Sequence, residues 1–356
     1  MDTVCPNRRA IMIRAVKPLK CVLMQVLCFS AACFGQAPLA TEYEHAVIQA
    51  REMQSTGDLE GIARTLSPWI DKNPNRAEGQ HLLGVAYYHQ QNYAGAIRHL
   101  SVALKLEPEN SSAWRQTVEA LAMAYYFSNR SQDALPLLEK TVGWNQGDTY
   151  YLYALAMSYV YAHDWDSARR TFAGLFDIPP DGPQAFVLAA DFLIREKFTA
   201  EAEKLFLDAQ KKRPDLPDLN YRLGLVALTN GAVAEAAKYL EKELAINPTH
   251  PMAWHYLGYI HVQSGKPDQA IKALQRSIWL NLRSTDSYVL IADAYTQKGK
   301  YPEAEDALKR ALELAPQNYE ARFLLGRIYH KTNRPELAKK EMAIANKLRS
   351  ESEAKR

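Results

Sequence analysis

The side chains most able to do chemistry in this sequence are its nine histidines, and their spacing is not that of a catalytic or metal-binding motif. No two histidines stand four residues apart, so the zinc pair of a His-Glu-x-x-His helix is missing. His255 and His261 are six residues apart, which places them on different faces of a helix. There is also no glycine-rich phosphate loop and no Gly-x-Ser-x-Gly motif. We therefore predict a protein that is not an enzyme and that uses no metal and no cofactor.

The cysteines and the excess of positive charge both lie at the N-terminus. Cys33 is the last of the four cysteines, so the chain that follows it can form neither a disulfide nor a thiolate metal site of its own. Residues 1–37 hold five basic residues and one acidic residue, and without them the formal net charge of +3 becomes −1. A nearly neutral chain lacks the one-sign field that nucleic-acid binding needs, so we expect no nucleic-acid partner.

The segment 1–37 has the three parts of a secretory signal peptide. Basic residues precede an apolar run from Cys21 to Phe34, and small or polar residues follow at 35–37. The run is shorter than the roughly 20 residues that a membrane-spanning helix needs. We expect cleavage after Gly35 or Ala37 and export in a bacterium, to the periplasm or the outer membrane.

Three alternatives to a cleaved signal stay open. Ser30-Ala31-Ala32-Cys33 resembles a bacterial lipoprotein box in which Cys33 would be acylated, although the usual leucine three positions before the cysteine is absent. The segment could also remain as an uncleaved anchor, or have no targeting role and leave the protein in the cytoplasm. A start at Met12 would give a more usual length to the basic region.

From Tyr43 onward the sequence consists of repeats of equal length. Position 8 of the repeat is always Gly or Ala, position 24 is always large and apolar, and position 20 is Ala in eight of nine repeats. The nine repeats span 43–76, 77–110, 115–148, 149–182, 183–216, 217–250, 251–284, 285–318 and 319–352, before a charged tail at 353–356. Positions 4, 7, 8 and 11 share one face of a first helix, and positions 20, 24 and 27 share one face of a second. One such hairpin cannot bury its apolar face alone, so neighbouring hairpins must stack.

These positions resemble the tetratricopeptide repeat family over residues 43–352. The repeat 77–110 matches the family pattern with Leu83, Gly84, Tyr87, Ala96, Leu100, Ala103 and Pro108. The resemblance implies an all-α fold, a right-handed superhelical α-solenoid of helix-turn-helix hairpins. Two departures carry further expectations. We predict that the insertion Ser111–Trp114 extends the first helix of the third repeat, the alternative being a loop. We also expect looser packing where Thr141 and Glu243 replace the small residue at position 27.

In this family the first helices line a concave groove through positions near 2, 5, 9, 12 and 13. Here those positions are rich in aromatic, Met and His residues, most of all in repeats 2–4. The candidate groove residues are Tyr88, Met123, Tyr126, Phe127, Tyr150, Tyr153, Met157, Tyr161, Tyr221, His255 and Tyr259. Tyrosine and methionine suit contacts with a peptide or helical segment of a partner protein. The alternative is that these side chains only pack between adjacent first helices.

The resemblance implies a non-catalytic scaffold or adaptor that binds other proteins and takes no small-molecule substrate. With an export signal, we expect a role in the assembly of cell-envelope or secretion components. Two alternatives stay open: a structural protein that forms a homodimer through its terminal repeats, and a non-catalytic subunit of an enzyme complex. The chaperone-tail binding known in the family requires a lysine at position 5, and no repeat here has one.

Overall fold

The computed structural model describes residues 41–354, and every regular element in this range is a helix. The all-α prediction is confirmed for these residues. The predictions of a signal peptide at 1–37, of an acylated Cys33 and of a start at Met12 concern residues outside this range. Among the helices described, none combines the length and the apolar character that crossing a membrane requires.

The helices fall into two compact units, the first ending at Phe198 and the second beginning at Thr199. The first unit contains α1 (Glu42–Thr56), α2 (Leu59–Ile70), α3 (Ala77–His89), α4 (Tyr93–Leu106), α5 (Ser112–Phe127), α6 (Ser131–Trp144), α7 (Thr149–Tyr161), α8 (Trp165–Leu175) and α9 (Pro183–Arg195). The second contains α10 (Thr199–Lys212), α11 (Leu219–Thr229), α12 (Val233–Ile246), α13 (Pro251–Gln263), α14 (Pro267–Leu280), α15 (Thr285–Gln297), α16 (Tyr301–Leu314), α17 (Tyr319–Lys331) and α18 (Pro335–Ala354).

Within each unit, helices that follow one another in the chain pack as hairpins, and the hairpins stack. In the first unit α3 packs on α4 and α5 on α6, while α3, α5 and α7 also contact one another in succession. In the second unit α13 packs on α14, α15 on α16 and α17 on α18. The helices α13, α15 and α17 also contact one another in succession. The odd-numbered helices therefore form one layer of each unit, and they carry the candidate groove positions.

The turn inside each described hairpin has a residue in the left-handed region of backbone space. Within the two units this residue is Gly at four of the eight turns, whereas Gln91, Asn129, His163 and Asn333 occupy the other four with φ between 59° and 62°. A non-glycine side chain in this conformation is strained by contact of its Cβ with the backbone. The chain therefore reverses in the same way at each of these turns, whichever residue stands there.

Small residues at position 8 allow the two helices of a hairpin to approach closely. A Cβ added to Gly84 on α3 would lie 2.6 Å from Cγ and 3.1 Å from the backbone nitrogen of Leu100 on α4. Gly258 on α13 meets Leu274 on α14 in the same way, at 2.5 Å. The large side chain at position 24 fills the space that the glycine leaves.

The insertion before the third repeat is helical, as predicted. Helix α5 begins at Ser112, and the Ser111 hydroxyl caps it by accepting the backbone N–H of Trp114 at 3.1 Å. The Trp114 side chain is buried, and its ring lies 5.8 Å from that of Trp144 on α6. The extra turn thus packs against its own hairpin.

Candidate functional site

Four aromatic side chains from four helices meet in the first unit. We call Tyr88, Tyr93, Phe127 and Tyr150 the tyrosine cluster. The hydroxyls of Tyr88 on α3 and Tyr150 on α7 are 2.9 Å apart, and either can donate. Tyr93 on α4 stacks on Phe127 of α5 with ring centres 5.5 Å apart, and Tyr88 lies 6.1 Å from Tyr93. Burial raises the pKa of both Tyr88 and Tyr150 above the usual range, so both phenols stay protonated at neutral pH. The cluster joins α3, α4, α5 and α7 through side chains alone.

Three of the predicted groove residues of the first unit are interior residues. Met123 and Tyr126 on α5 are 2% and 1% exposed, and Met157 on α7 is 1% exposed. Their side chains are enclosed in the interior of the first unit. This corrects the expectation that these three side chains line an open groove, and it agrees with the alternative of packing between first helices.

The other predicted residues of the first unit are half-buried and engaged with neighbouring side chains. Tyr153 makes an edge contact with Phe192 of α9 at 6.1 Å between ring centres. The Tyr161 hydroxyl donates to the carboxylate of Glu196, just beyond α9. The candidate groove of repeats 2–4 is thus a surface whose aromatic side chains are largely satisfied within the unit.

The three predicted groove residues of the second unit differ in how far they are exposed to solvent. The Tyr221 ring packs 4.5 Å from that of His250, and burial raises the pKa of Tyr221 to about 12. His255 is buried, and its Nδ1 lies 2.8 Å from the Ser287 hydroxyl. Tyr259 on α13, in contrast, is 39% exposed. Of the three, Tyr259 alone presents a large part of its side chain to solvent.

One group of side chains in the described residues is close enough to share a cation: Asp218, Glu243 and His250. Its hydrogen bonds argue for another role. His250 Nδ1 accepts the Ala253 backbone N–H at 3.0 Å, so the neutral ring carries its proton on Nε2, which lies 3.1 Å from Asp218 Oδ1. A metal on Nε2 would require the proton to move to Nδ1, where the Ala253 N–H already points. The group is therefore better suited to capping helices than to binding a metal.

Glu243 performs the capping. Its side chain is fully buried, with one carboxylate oxygen accepting the Asp218 N–H at 2.9 Å and the other lying 3.4 Å from the Tyr221 nitrogen. Asp218 precedes α11 with φ 66° and does not cap that helix with its own side chain. The carboxylate from α12 satisfies these N–H groups instead, and its negative charge suits the helix N-terminus. The expectation of looser packing at Glu243 was wrong, because this side chain fills its site and is hydrogen-bonded in it.

An open cavity of about 350 Å³ lies in the second unit, between α15, α17 and α18. Its lining combines an apolar floor with charged groups: Val289, Leu290, Asp293, Tyr319, Glu320, Phe323, Leu324, Ala345, Asn346 and Arg349. Phe323 is 45% exposed, so a large apolar surface beside the cavity stays in contact with water. The volume is within the range of about 300–1,000 Å³ that ligand sites occupy.

The sequence patterns did not single out this cavity. Phe323 occupies position 5 of the ninth repeat, one of the groove positions, and its large apolar side chain was the available signal. The repeat pattern places Ala345 and Arg349 in the second helix of the ninth repeat, but it does not say that this helix forms a cavity wall with α15 and α17.

Two family models match the sequence. Residues 77–110 match the tetratricopeptide repeat, and residues 183–356 match the C-terminal domain of cilia and flagella-associated protein 70. No curated protein matches the sequence significantly.

Solved structures similar to parts of the chain include MamA and YrrB. A crystal structure of MamA is 23% identical, with 47% of this chain and 97% of that chain covered and a TM-score of 0.44. MamA 41-end from Desulfovibrio magneticus RS-1 is 17% identical, with 48% and 96% covered and a TM-score of 0.45. YrrB, described as a TPR protein with an unusual peptide-binding site, is 20% identical, with 51% and 93% covered and a TM-score of 0.45.

Proposed function

We propose that this chain, which belongs to the tetratricopeptide repeat family, is a protein-interaction scaffold whose docking site is the cavity between α15, α17 and α18. The observation that supports this choice is the exposed Phe323 ring beside an apolar cavity of about 350 Å³. The first unit offers less, because Tyr88 and Tyr150 bond to each other and Met123 and Met157 are buried.

The cavity suits a segment of a partner protein because its floor is apolar and its sides are helices. Val289 and Leu290 on α15 line it together with Phe323 and Leu324 on α17. Apolar side chains from a partner would remove this surface from water, which favours binding by about 25 cal/mol for each Å² buried. An amphipathic helix presents such side chains three and four residues apart, as in other helix-in-groove complexes.

A matched pair of variants tests the site. Leu337 on α18 is 44% exposed, nearly the same as Phe323, but it does not line the cavity. Partners are isolated with the full-length chain from its native cell fraction, identified, purified and titrated against each variant. We expect Phe323→Ala to weaken the Kd by about ten-fold or more, as truncation of a central aromatic anchor does, and Leu337→Ala to leave it unchanged. Equal Kd values for wild type and Phe323→Ala would contradict the proposal.

We propose further that the scaffold acts after export, in the assembly of cell-envelope or secretion components. The support is the basic stretch before the apolar run from Cys21 to Phe34. N-terminal sequencing and intact mass of the protein from its native host test this. A mature chain that begins near residue 36 or 38, or an acylated Cys33, agrees with export. An intact chain from Met1 or Met12 in the cytoplasm contradicts it.

A further inference from the structure

We infer that the partner segment for this cavity is basic as well as apolar, with a lysine or arginine beside Asp293. The inference rests on the proposed function, since it assigns a chemical class to whatever docks between α15, α17 and α18. Three features of the described residues support it: the apolar floor, a half-buried carboxylate that no cation neutralises, and a lining cation that is already paired.

The floor requires a large apolar side chain from the partner. Leu290 and Leu324 are half-buried and Phe323 is 45% exposed, so the ring keeps much of its surface in water in the free protein. A leucine or aromatic side chain in the cavity would cover that surface, whereas a polar one would lose its hydration without a partner.

The carboxylates require a positive charge. Asp293 on α15 is half-buried and makes no ion pair within residues 41–354. Glu320 on α17 is exposed, and its carboxylate lies only at the limit of hydrogen bonding, 3.4 Å from the neighbouring Tyr319 hydroxyl. A lysine or arginine of the partner beside Asp293 would gain attraction from that carboxylate, and an acidic side chain there would be repelled. Glu320 adds a second negative charge to the lining.

The cation in the lining does not alter this charge preference. Arg349 Nε donates to Glu353 at 2.9 Å, within α18, so its charge is compensated inside its own helix. Arg327, one turn beyond Phe323 on α17, is exposed but does not line the cavity. The lining therefore keeps the unpaired negative charge of Asp293, and the basic residue of the partner belongs beside it.

Selection from a random library of short peptides displayed on phage tests the inference without assuming a sequence. The full-length chain is the bait, and peptides that also bind Phe323→Ala are removed. We expect the remaining peptides to combine large apolar residues with a several-fold excess of Lys and Arg over Asp and Glu, relative to the library. Their Kd should weaken about three- to ten-fold for Asp293→Asn, and further at high salt, because screened charges attract less.

The outcomes separate the two proposals. Peptides that depend on Phe323 but show no basic excess, or that bind Asp293→Asn equally well, would overturn the basic partner and leave the docking site in place. If the selection yields no peptide whose binding depends on Phe323, both proposals are overturned. If light scattering shows a dimer of the full-length chain that Phe323→Ala dissociates and Leu337→Ala does not, the occupant is a second copy, and the basic partner is again wrong.

Discussion

The hydroxyl groups of Tyr88 and Tyr150 lie 2.9 Å apart, although the two residues are 62 positions apart in the chain. Tyr88 is at the end of α3 and Tyr150 at the start of α7, and α5 is the first helix of the hairpin between them. Successive first helices pack on one another, but this bond joins first helices two hairpins apart. It therefore ties the second hairpin to the fourth, across the third, by one side-chain contact.

Removal of either hydroxyl should weaken the first unit. We expect Tyr88→Phe to lower the free energy of unfolding by about 1 kcal/mol, because the Tyr150 hydroxyl would lose its partner in a partly buried place. Tyr150→Phe should have a similar effect. Urea unfolding followed by circular dichroism measures both, together with the double variant.

The double variant isolates the bond itself. If the two hydroxyls bind each other, the double variant should be less destabilised than the sum of the single variants. Tyr93→Phe is the control, since its ring stacks on Phe127 and its hydroxyl makes no hydrogen bond among the described residues. Strict additivity of Tyr88→Phe and Tyr150→Phe would show that the bond does not form.

Local features of the fold could be predicted from the sequence, and features that depend on distant packing could not. The small residue at position 8 and the large one at position 24 are short-range signals, so helices and hairpins follow from them. Tyr88 and Tyr126 occupy the same repeat position, yet Tyr126 is 1% exposed while Tyr88 is half-buried in the cluster. Which of them is covered depends on how successive hairpins pack, and the period of the sequence does not contain that information.

Glu243 shows the same limit. Its position normally holds a small residue, and the sequence pattern indicated a defect there. The carboxylate instead serves the start of α11, at Asp218 and Tyr221, which stand 25 and 22 positions earlier in the chain. The capping partner could not be identified without knowing where the side chain of α12 points.

At the hairpin turns, replacing a non-glycine residue by Gly should stabilise the protein, and replacing Gly by another residue should destabilise it. Gln91 has φ 62°, and Gly265 occupies the equivalent turn of another hairpin with φ 65°. We expect Gln91→Gly to stabilise by about 0.5–1 kcal/mol, since relief of the strain outweighs the added freedom of the unfolded chain. Gly265→Gln should destabilise by about 1 kcal/mol. Thermal unfolding of each variant measures the shift in Tm.

A helical glycine serves as the control for the turns. A Cβ added to Gly143 in α6 would meet no atom within 4 Å, and its φ is not positive. Gly143→Ala should therefore stabilise by about 0.5–1 kcal/mol through helix propensity. If Gly265→Gln also stabilised the protein, the left-handed conformation of that turn would be wrong.

Loss of the Glu243 carboxylate should destabilise the second unit strongly. Glu243→Ala would leave the N–H groups of Asp218 and Tyr221 without their acceptor beside a fully buried position, at a cost of about 2–3 kcal/mol. Glu243→Gln keeps one acceptor oxygen and should cost less. Urea unfolding provides the measurement, with Glu241→Ala on the exposed face of α12 as the control. A Glu243→Ala variant as stable as Glu241→Ala would contradict the capping role.

Two histidines, His81 in the first unit and His255 in the second, make the same contact and should make stability depend on pH. His81 Nδ1 lies 2.7 Å from the Thr117 hydroxyl, and His255 Nδ1 lies 2.8 Å from the Ser287 hydroxyl. Burial lowers the pKa of both imidazoles below the usual 6.5, so the folded protein favours the neutral ring. Their contribution to stability is therefore complete above the usual pKa and is lost as the pH falls through the lowered pKa values.

We expect the free energy of unfolding to fall between pH 7 and pH 5, and to fall less in the double variant His81→Gln/His255→Gln. Some dependence should persist in that variant, because burial also lowers the pKa of His89, His99 and His261. His45→Gln, at an exposed position on α1, is the control for a His-to-Gln substitution outside the packed interior. Urea unfolding at half-unit steps of pH measures the slope. If the free energy of unfolding changes with pH equally in the wild type and the double variant, these two imidazoles do not cause the pH dependence.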